Sequence, residues 1–179
     1  GVDLVVPRAG LTVLLGRNGA GKSTTLKAAV GLVTPERGVV ELEGRDVTGR
    51  APYQIAAAGL SLVPEDRGIF QLLTVEENLR IAVRKGSPWS IRDIYKIFPR
   101  LEERRSNGGG QLSGGEQQML SIGRALMTHP DLIILDEATE GLAPLIAREL
   151  WCICSLIKES GFSSVIVDKN WTNVTQITD

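Results

Sequence analysis

The stretch LTVLLGRNGAGKST, residues 11 to 24, restricts this chain more than any other part of it. An apolar run, LTVLL, is followed at once by G-x-x-x-x-G-K-[ST] and then by helical spacing from Lys22 to Val30. Strand before and helix after is the context in which that spacing carries a mechanism. Glycines let the backbone wrap a triphosphate with its N–H groups pointing inward, and the helix adds the positive end of its dipole. The expected cradle is Gly16, Arg17, Asn18, Gly19, Ala20 and Gly21, continued by Lys22, Ser23 and Thr24. Lys22 reaches the β- and γ-phosphates, and the Ser23 hydroxyl ligates Mg²⁺. A helix merely capped by a glycine turn leaves the Lys-Ser pair unexplained.

Three more apolar runs follow: LSLV (60–63), LIIL (132–135) and SVIV (164–167). Unbroken apolarity suits strands buried on both faces of a parallel sheet. Helical spacing between them, as in Glu116 to Met127, predicts a three-layer α/β sandwich. At 179 residues the chain fits one domain. The interval from about 66 to 112 differs in kind: VEENLRIAVRKG and SIRDIYKIFPRLEERR are charged and helical in pattern, and SNGGGQ is expected to be a flexible polar link. It is read as a helical lobe inserted into the α/β core. The first residues, GVDLVVPRAG, alternate like a half-exposed strand and end in a Pro-to-Gly turn. The chain is thus expected to begin inside a strand and, at TQITD, to end without a capping element, as if clipped at both ends.

Composition tells against several classes. Twenty Lys and Arg against 21 Asp and Glu give a net charge of −1, with no electrostatic footprint for nucleic acid or an anionic membrane. There is no apolar run of about 18 residues and no signal-peptide pattern, so the chain is expected neither to span a membrane nor to be exported by its own sequence. Repeats and heptads are absent. Cys152 and Cys154 sit two apart on a helical stretch, where they point to different faces, and are expected to be core thiols in a reducing compartment. His129, the only histidine, is read as a surface residue of the MTHPD turn.

Two further segments carry chemistry. LIILDEATEGL is an apolar strand ending in Asp136 and Glu137. Ligands bind at the C-terminal edge of a parallel sheet, where Asp136 is placed to hold Mg²⁺ and Glu137 to orient and polarise attacking water. Two acids favouring a helix dipole are the plainer reading, but the phosphate loop tells against it. In QLSGGEQQML, Ser113 and Glu116 form a capping box at a helix start. Gly114 and Gly115 in its first turn are poor for helix stability and leave bare N–H groups where an anion fits. With no lysine, such a turn suits the far side of a nucleotide held by something else.

These motifs together resemble the ATP-binding cassette (ABC) ATPases, with LSGGEQQ as the family's signature between the phosphate loop and the DE strand. The resemblance covers nearly the whole chain. It implies a RecA-like core over 1–65 and 126–179 and a helical subdomain over 66–125 that includes the signature. It also implies that two cassettes pair head to tail, so that Ser113, Gly114, Gly115 and Glu116 of one close on the γ-phosphate bound by the other. Expected partners are therefore a second ABC ATPase subunit, transmembrane permease subunits on which the helical subdomain docks and, indirectly, a periplasmic substrate-binding protein. LLGRNGAGKST, VPEDRGIF, LTVEENL, LSGGEQQMLSIGRALM and DEATEGLAP narrow the likeness to one of the two ATPase subunits of bacterial branched-chain amino-acid importers. Urea and short-chain amide importers are close behind. That implies ATP and Mg²⁺ as ligands and the cytoplasmic face of the inner membrane as location. EGLAP (140–144) corresponds to the loop that passes across the dimer.

Two positions depart from the general cassette pattern. Glu65 stands where most cassettes have glutamine, and Lys169 where most have a switch histidine; the importer subgroup usually shares the first and often lacks the histidine. Glu65 is expected at the nucleotide site as a further Mg²⁺ ligand near the γ-phosphate, with Lys169 at the same phosphate, its ammonium offsetting that charge. The family's adenine-stacking aromatic lies upstream of residue 1, and Trp89, Trp151 and Trp171 are no substitutes by position. Soluble cassettes of DNA repair separate loop and signature by long coiled coils, whereas fewer than a hundred residues intervene here. A P-loop kinase or GTPase would leave LSGGEQQ unexplained, and the Asn-Lys-x-Asp guanine motif is missing. A domain that binds ATP weakly without turnover is the non-enzymatic rival.

Overall fold

The structure is a computed structural model that describes residues 2–17, 19–144, 146–148, 150, 152–153 and 161–168. In chain order its elements are β1 (Leu11–Leu15), α1 (Lys22–Ala29), β2 (Glu41–Leu42), β3 (Arg45–Asp46), α2 (Pro52–Ala57), β4 (Leu60–Val63), α3 (Val75–Arg80), α4 (Ile91–Ile97), α5 (Pro99–Glu103), α6 (Gly114–Met127), β5 (Leu132–Asp136) and β6 (Ser163–Asp168). The four expected strands form one parallel sheet in the order β1-β6-β5-β4, while β2 and β3 make a separate antiparallel hairpin.

Period-2 alternation divides each strand between two cores. Along β5, Ile133 and Leu135 join the cluster under α6, whereas Ile134 joins the one under α1 and α2. Along β6, Ile166 faces the first cluster and Val165 and Val167 the second. The result is the three-layer sandwich the apolar runs required. Each fully buried Leu or Ile contributes about 1.5–3 kcal/mol, so these paired faces fix the register of the sheet. Burial on both faces holds for the central strands only. β1 is an edge strand whose residues are half-buried or exposed, because its apolar run has a partner on one side alone.

α6 runs between β4 and the helices α3, α4 and α5, and is buried over most of its circumference. Gly123 lies at the closest approach: a Cβ there would sit 2.9 Å from Ile94 Cγ2 and 3.3 Å from Leu79 Cδ2. The loss of helix propensity, about 1 kcal/mol relative to alanine, is offset by that close packing.

Three expectations are corrected. Residues 2–10 form no strand, since Val2 to Pro7 find no ladder partner; only the Pro7-to-Gly10 turn is made, with Gly10 N–H donating to Pro7 O at 3.1 Å. The glycine-rich SNGGGQ segment is not a flexible link. Gly109 and Gly110 donate to Leu73 O (2.9 Å) and Gln71 O (3.0 Å), and residues 109–111 form a 3-10 turn. Gly109 is buried so closely that a Cβ would lie 2.8 Å from Phe70 O, so glycine here serves close approach rather than mobility. Cys152 is exposed rather than a core thiol, and it is the neighbouring Ile153 that is buried; Cys154 lies outside the described residues. His129 is exposed, as expected, with its ring edge-on to Phe162. Trp89 packs against Phe162 at 6.0 Å, whereas Trp151 and Trp171 lie outside the described residues.

Parallel pairing aligns all four strand ends. Leu15 pairs with Asp168, Asp136 with Val167 and Val63 with Leu135, so the loops after β1, β4 and β5 emerge at one edge.

Candidate functional site

The loop after β1 enters α1 through Gly19 (φ 81°) and Gly21 (φ 87°), the latter being the residue that caps α1. A Cβ on either would meet nothing within 4 Å, so the left-handed backbone and not crowding requires glycine. No side chain caps α1 and no acid occupies its first turn, which keeps the N–H groups there available to an outside acceptor. Lys22 folds back across the loop. Its Nζ donates to Gly16 O at 2.8 Å and Arg17 O at 3.2 Å.

At the end of β5, Asp136 is 3% exposed and accepts a hydrogen bond from Ser23 Oγ at 3.1 Å. The next residue, Glu137, leaves the strand with φ 48°, a conformation that costs about 1–3 kcal/mol in a non-glycine residue. Its N–H donates to Val167 O at 3.0 Å, which holds the turn against β6. The Glu137 Oε1 lies 3.8 Å from Lys22 Nζ, with both side chains almost buried. Glu140 N–H donates to Glu137 O at 3.0 Å, and the carboxylates of Glu65, Glu137 and Glu140 lie within 4.8 Å of one another. Glu65 itself is exposed, and it lines a cavity of about 850 Å³ together with Asp136.

The hydrogen bond with Glu140, then burial and the Glu140 charge, push the Glu137 carboxyl up to about 7, with Lys22 opposing and Glu65 reinforcing the shift. A carboxyl whose folded pKa is raised stabilises the fold below its unfolded value near 4.5, and that contribution is lost as pH rises towards about 7. In EDTA without nucleotide, melting temperature is therefore expected to fall between those values. Glu137→Gln should flatten the slope and raise the melting temperature at pH 8 by about 2–4 °C, equivalent to about 1 kcal/mol. Equal slopes for the two proteins would remove Glu137 as its source.

Ser23 and Asp136 are hard oxygen donors, one of them a buried acid, held 3.1 Å apart by their mutual hydrogen bond. This pair fits Mg²⁺, which binds through one or two protein oxygens plus substrate phosphates.

The turn at the start of α6 is a complete capping box. Ser113 N–H donates to Glu116 Oε2 at 2.8 Å, and Glu116 N–H donates to Ser113 Oγ at 3.3 Å. Its glycines also have packing reasons: a Cβ on Gly115 would sit 2.5 Å from Ile146 Cγ2, and one on Gly114 would sit 3.3 Å from Arg67 Nη2.

The fold thus brings together Gly16, Arg17, Lys22, Ser23, Asp136, Glu137 and, through its carboxylate, Glu65. Gly19, Ala20, Gly21 and Thr24 belong to the same loop and first helical turn. Ser113, Gly114, Gly115 and Glu116 stand apart: among the described residues no hydrogen bond or ion pair found joins them to residues 16–24. Asn18 and Lys169 lie outside the described residues, and with Lys169 the expected partner of Glu65. Sequence reasoning missed Glu140 as a member of the acid cluster. Its signal was the three-residue spacing from Glu137 in a tight turn, which only the turn geometry makes meaningful.

A glycine loop between strand and helix, with a serine-aspartate pair and a lysine-glutamate pair at the edge of a parallel sheet, defines an α/β P-loop nucleoside triphosphatase. The chain belongs to the ABC transporter family of ATPases, whose family model matches residues 1–140. It is 37% identical to the high-affinity branched-chain amino acid transport ATP-binding protein BraG of Pseudomonas aeruginosa, an alignment covering 99% of this chain and 78% of that protein. It is 35% identical to the lipopolysaccharide export system ATP-binding protein LptB of Haemophilus influenzae, over 94% of this chain and 73% of that one. Among solved structures, a nucleotide-free ATP-binding cassette from an ABC transporter superposes with a TM-score of 0.84 at 28% identity, covering all of this chain and 78% of the other.

Proposed function

We propose that this chain is an ATP-hydrolysing subunit that powers a branched-chain amino-acid importer from the cytoplasmic face of a bacterial inner membrane. The observation that carries the hydrolytic part is the convergence of Lys22, Ser23, Asp136 and Glu137 at one sheet edge, with Lys22 Nζ 3.8 Å from Glu137 and Ser23 Oγ 3.1 Å from Asp136. Residues 16–24 hold the triphosphate through backbone N–H groups, and Lys22 neutralises the β- and γ-phosphates. Ser23 and Asp136 would hold Mg²⁺, which would supply charge neutralisation at those phosphates, with Glu65 as a further carboxylate that could reach it. Glu137 takes a proton from the attacking water, and a carboxyl tuned close to neutral pH suits a general base.

Ser113, Gly114, Gly115 and Glu116 act on the nucleotide of a second cassette, head to tail. Support comes from the exposure of Ser113 and from the separation of this turn from the chain's own phosphate loop. Residues 66–125 act as the helical subdomain, joined to a core of 1–65 and 126–179. Exposed apolar side chains on that lobe, Phe70, Leu72, Ile81 and Val83, suit a permease subunit, with a periplasmic binding protein as the indirect partner. The importer reading rests on the motif set and on BraG being the more similar of the two named relatives. The similarity to LptB favours a second reading, lipid export; urea or amide import is the third.

The experiment is to coexpress the chain with whatever permease genes neighbour its own and to reconstitute the assembly in vesicles. Labelled leucine uptake that depends on ATP supports the proposal. Uptake of urea or amides alone, or extraction of lipopolysaccharide, overturns the amino-acid assignment.

A further inference from the structure

The signature turn contains no lysine, yet a cation lies against it. Arg67, in the loop after β4, adopts φ 67°, which a bulky side chain holds only under constraint. Its guanidinium lies where a side chain on Gly114 would be: Nη2, Cζ and Nη1 are 3.3, 3.6 and 3.7 Å from that Cβ position. Nη1 donates to Gln117 Oε1 at 3.3 Å, and the Nε is enclosed without a hydrogen-bond partner. Gln117 in turn donates from Nε2 to Gly109 O (3.2 Å) and Leu112 O (3.3 Å), on the segment that leads into Ser113. One side chain therefore touches both the first turn of α6 and the residue that orients the approach to it.

The loop carrying Arg67 is fastened elsewhere as well. Arg124 Nη1 donates to Gly68 O at 2.5 Å and its guanidinium stacks over the Phe70 ring at 4.7 Å. The Asn78 side chain bonds Phe70 N and O, Leu73 O and Thr74 O at 2.9–3.1 Å. The other end of the same loop is Glu65, beside Glu137 and Glu140. A single residue, Asp66, thus separates the acid cluster of one site from the arginine whose guanidinium lies against the signature turn.

We propose that Arg67 is a positioning residue for ATP hydrolysis: it transmits the position of Glu65 to the Ser113–Glu116 turn and holds that turn in the orientation the partner's nucleotide meets. The inference rests on the reading that this turn acts across a cassette dimer. Strain at φ 67°, with the guanidinium packed on Gly114 and hydrogen-bonded to Gln117, makes the link rigid, so a shift at either end is felt at the other. Each chain then couples its own nucleotide site to the one it completes.

The test measures steady-state ATP turnover and binding of a fluorescent ATP analogue for the full chain. Arg67→Ala is expected to lower kcat at least tenfold, with KM and analogue affinity within twofold. Gln117→Ala should cost a similar factor, and the double variant no more than the larger single loss. Arg67→Lys keeps charge but loses the fork, and should lower kcat about fivefold at unchanged KM even if the alanine variant folds poorly. A kcat within twofold of the parent for both Arg67 variants, losses that multiply, or equal losses in kcat and affinity would overturn the proposal. Glu137→Gln is run beside them. If it abolishes turnover while the Arg67 variants do not, the positioning role fails alone; if it too leaves turnover intact, the hydrolytic assignment fails with it.

Discussion

Glu137→Gln is expected to lower ATP turnover by about two to four orders of magnitude while leaving nucleotide binding intact. The amide keeps the size and the turn at φ 48° but cannot accept the proton of attacking water. It also removes a negative charge from a cluster of three acids, so the γ-phosphate is held with less repulsion. With ATP bound and no route to products, the sandwich dimer should accumulate. Size-exclusion chromatography with Mg²⁺ and ATP is expected to show a dimer for the variant and mainly monomer for the parent. Normal hydrolysis by the variant would remove Glu137 from the chemistry.

Ser113→Arg should also keep binding and lose hydrolysis, but by preventing the dimer rather than trapping it. Ser113 is exposed at the start of α6, and its side chain accepts from Glu116 N–H. Losing that cap costs about 0.5–2 kcal/mol of stability. Lys22 and the phosphate loop are untouched, so affinity of the single chain for ATP should stay within about twofold. Turnover should fall at least a hundredfold, because a guanidinium group fills the space that a facing nucleotide needs. In the Glu137→Gln background the arginine should also abolish the ATP-dependent dimer. Loss of ATP binding and hydrolysis to the same degree would mean that the turn is structural only.

Both variants act on motifs that were legible in the chain. The strand and helix flanking residues 16–24 follow from apolar runs and glycine spacing, which are local properties. The capping box at Ser113 was legible for the same reason, and its geometry forms as expected. What escaped were features whose meaning depends on a neighbour distant in sequence. SNGGGQ looks flexible by composition, but residues 71 and 73 bind it, and the alternation of residues 2–7 makes no strand without a partner. Gly114 and Gly115 looked like bare helix N–H groups; Arg67 and Ile146 show that packing also requires them.

By itself the sequence determined the class of chemistry, since a phosphate loop, a carboxylate strand and a glycine-signature helix are each specified within a dozen or so consecutive residues. Tertiary structure alone decided how they combine. Parallel pairing of β1, β6, β5 and β4 carries Asp136 to Ser23 and Glu137 to Lys22 across more than a hundred residues, and a turn at positive φ gathers Glu65, Glu137 and Glu140. Hydrogen-bond register and left-handed turns act through space, so no window of sequence contains them.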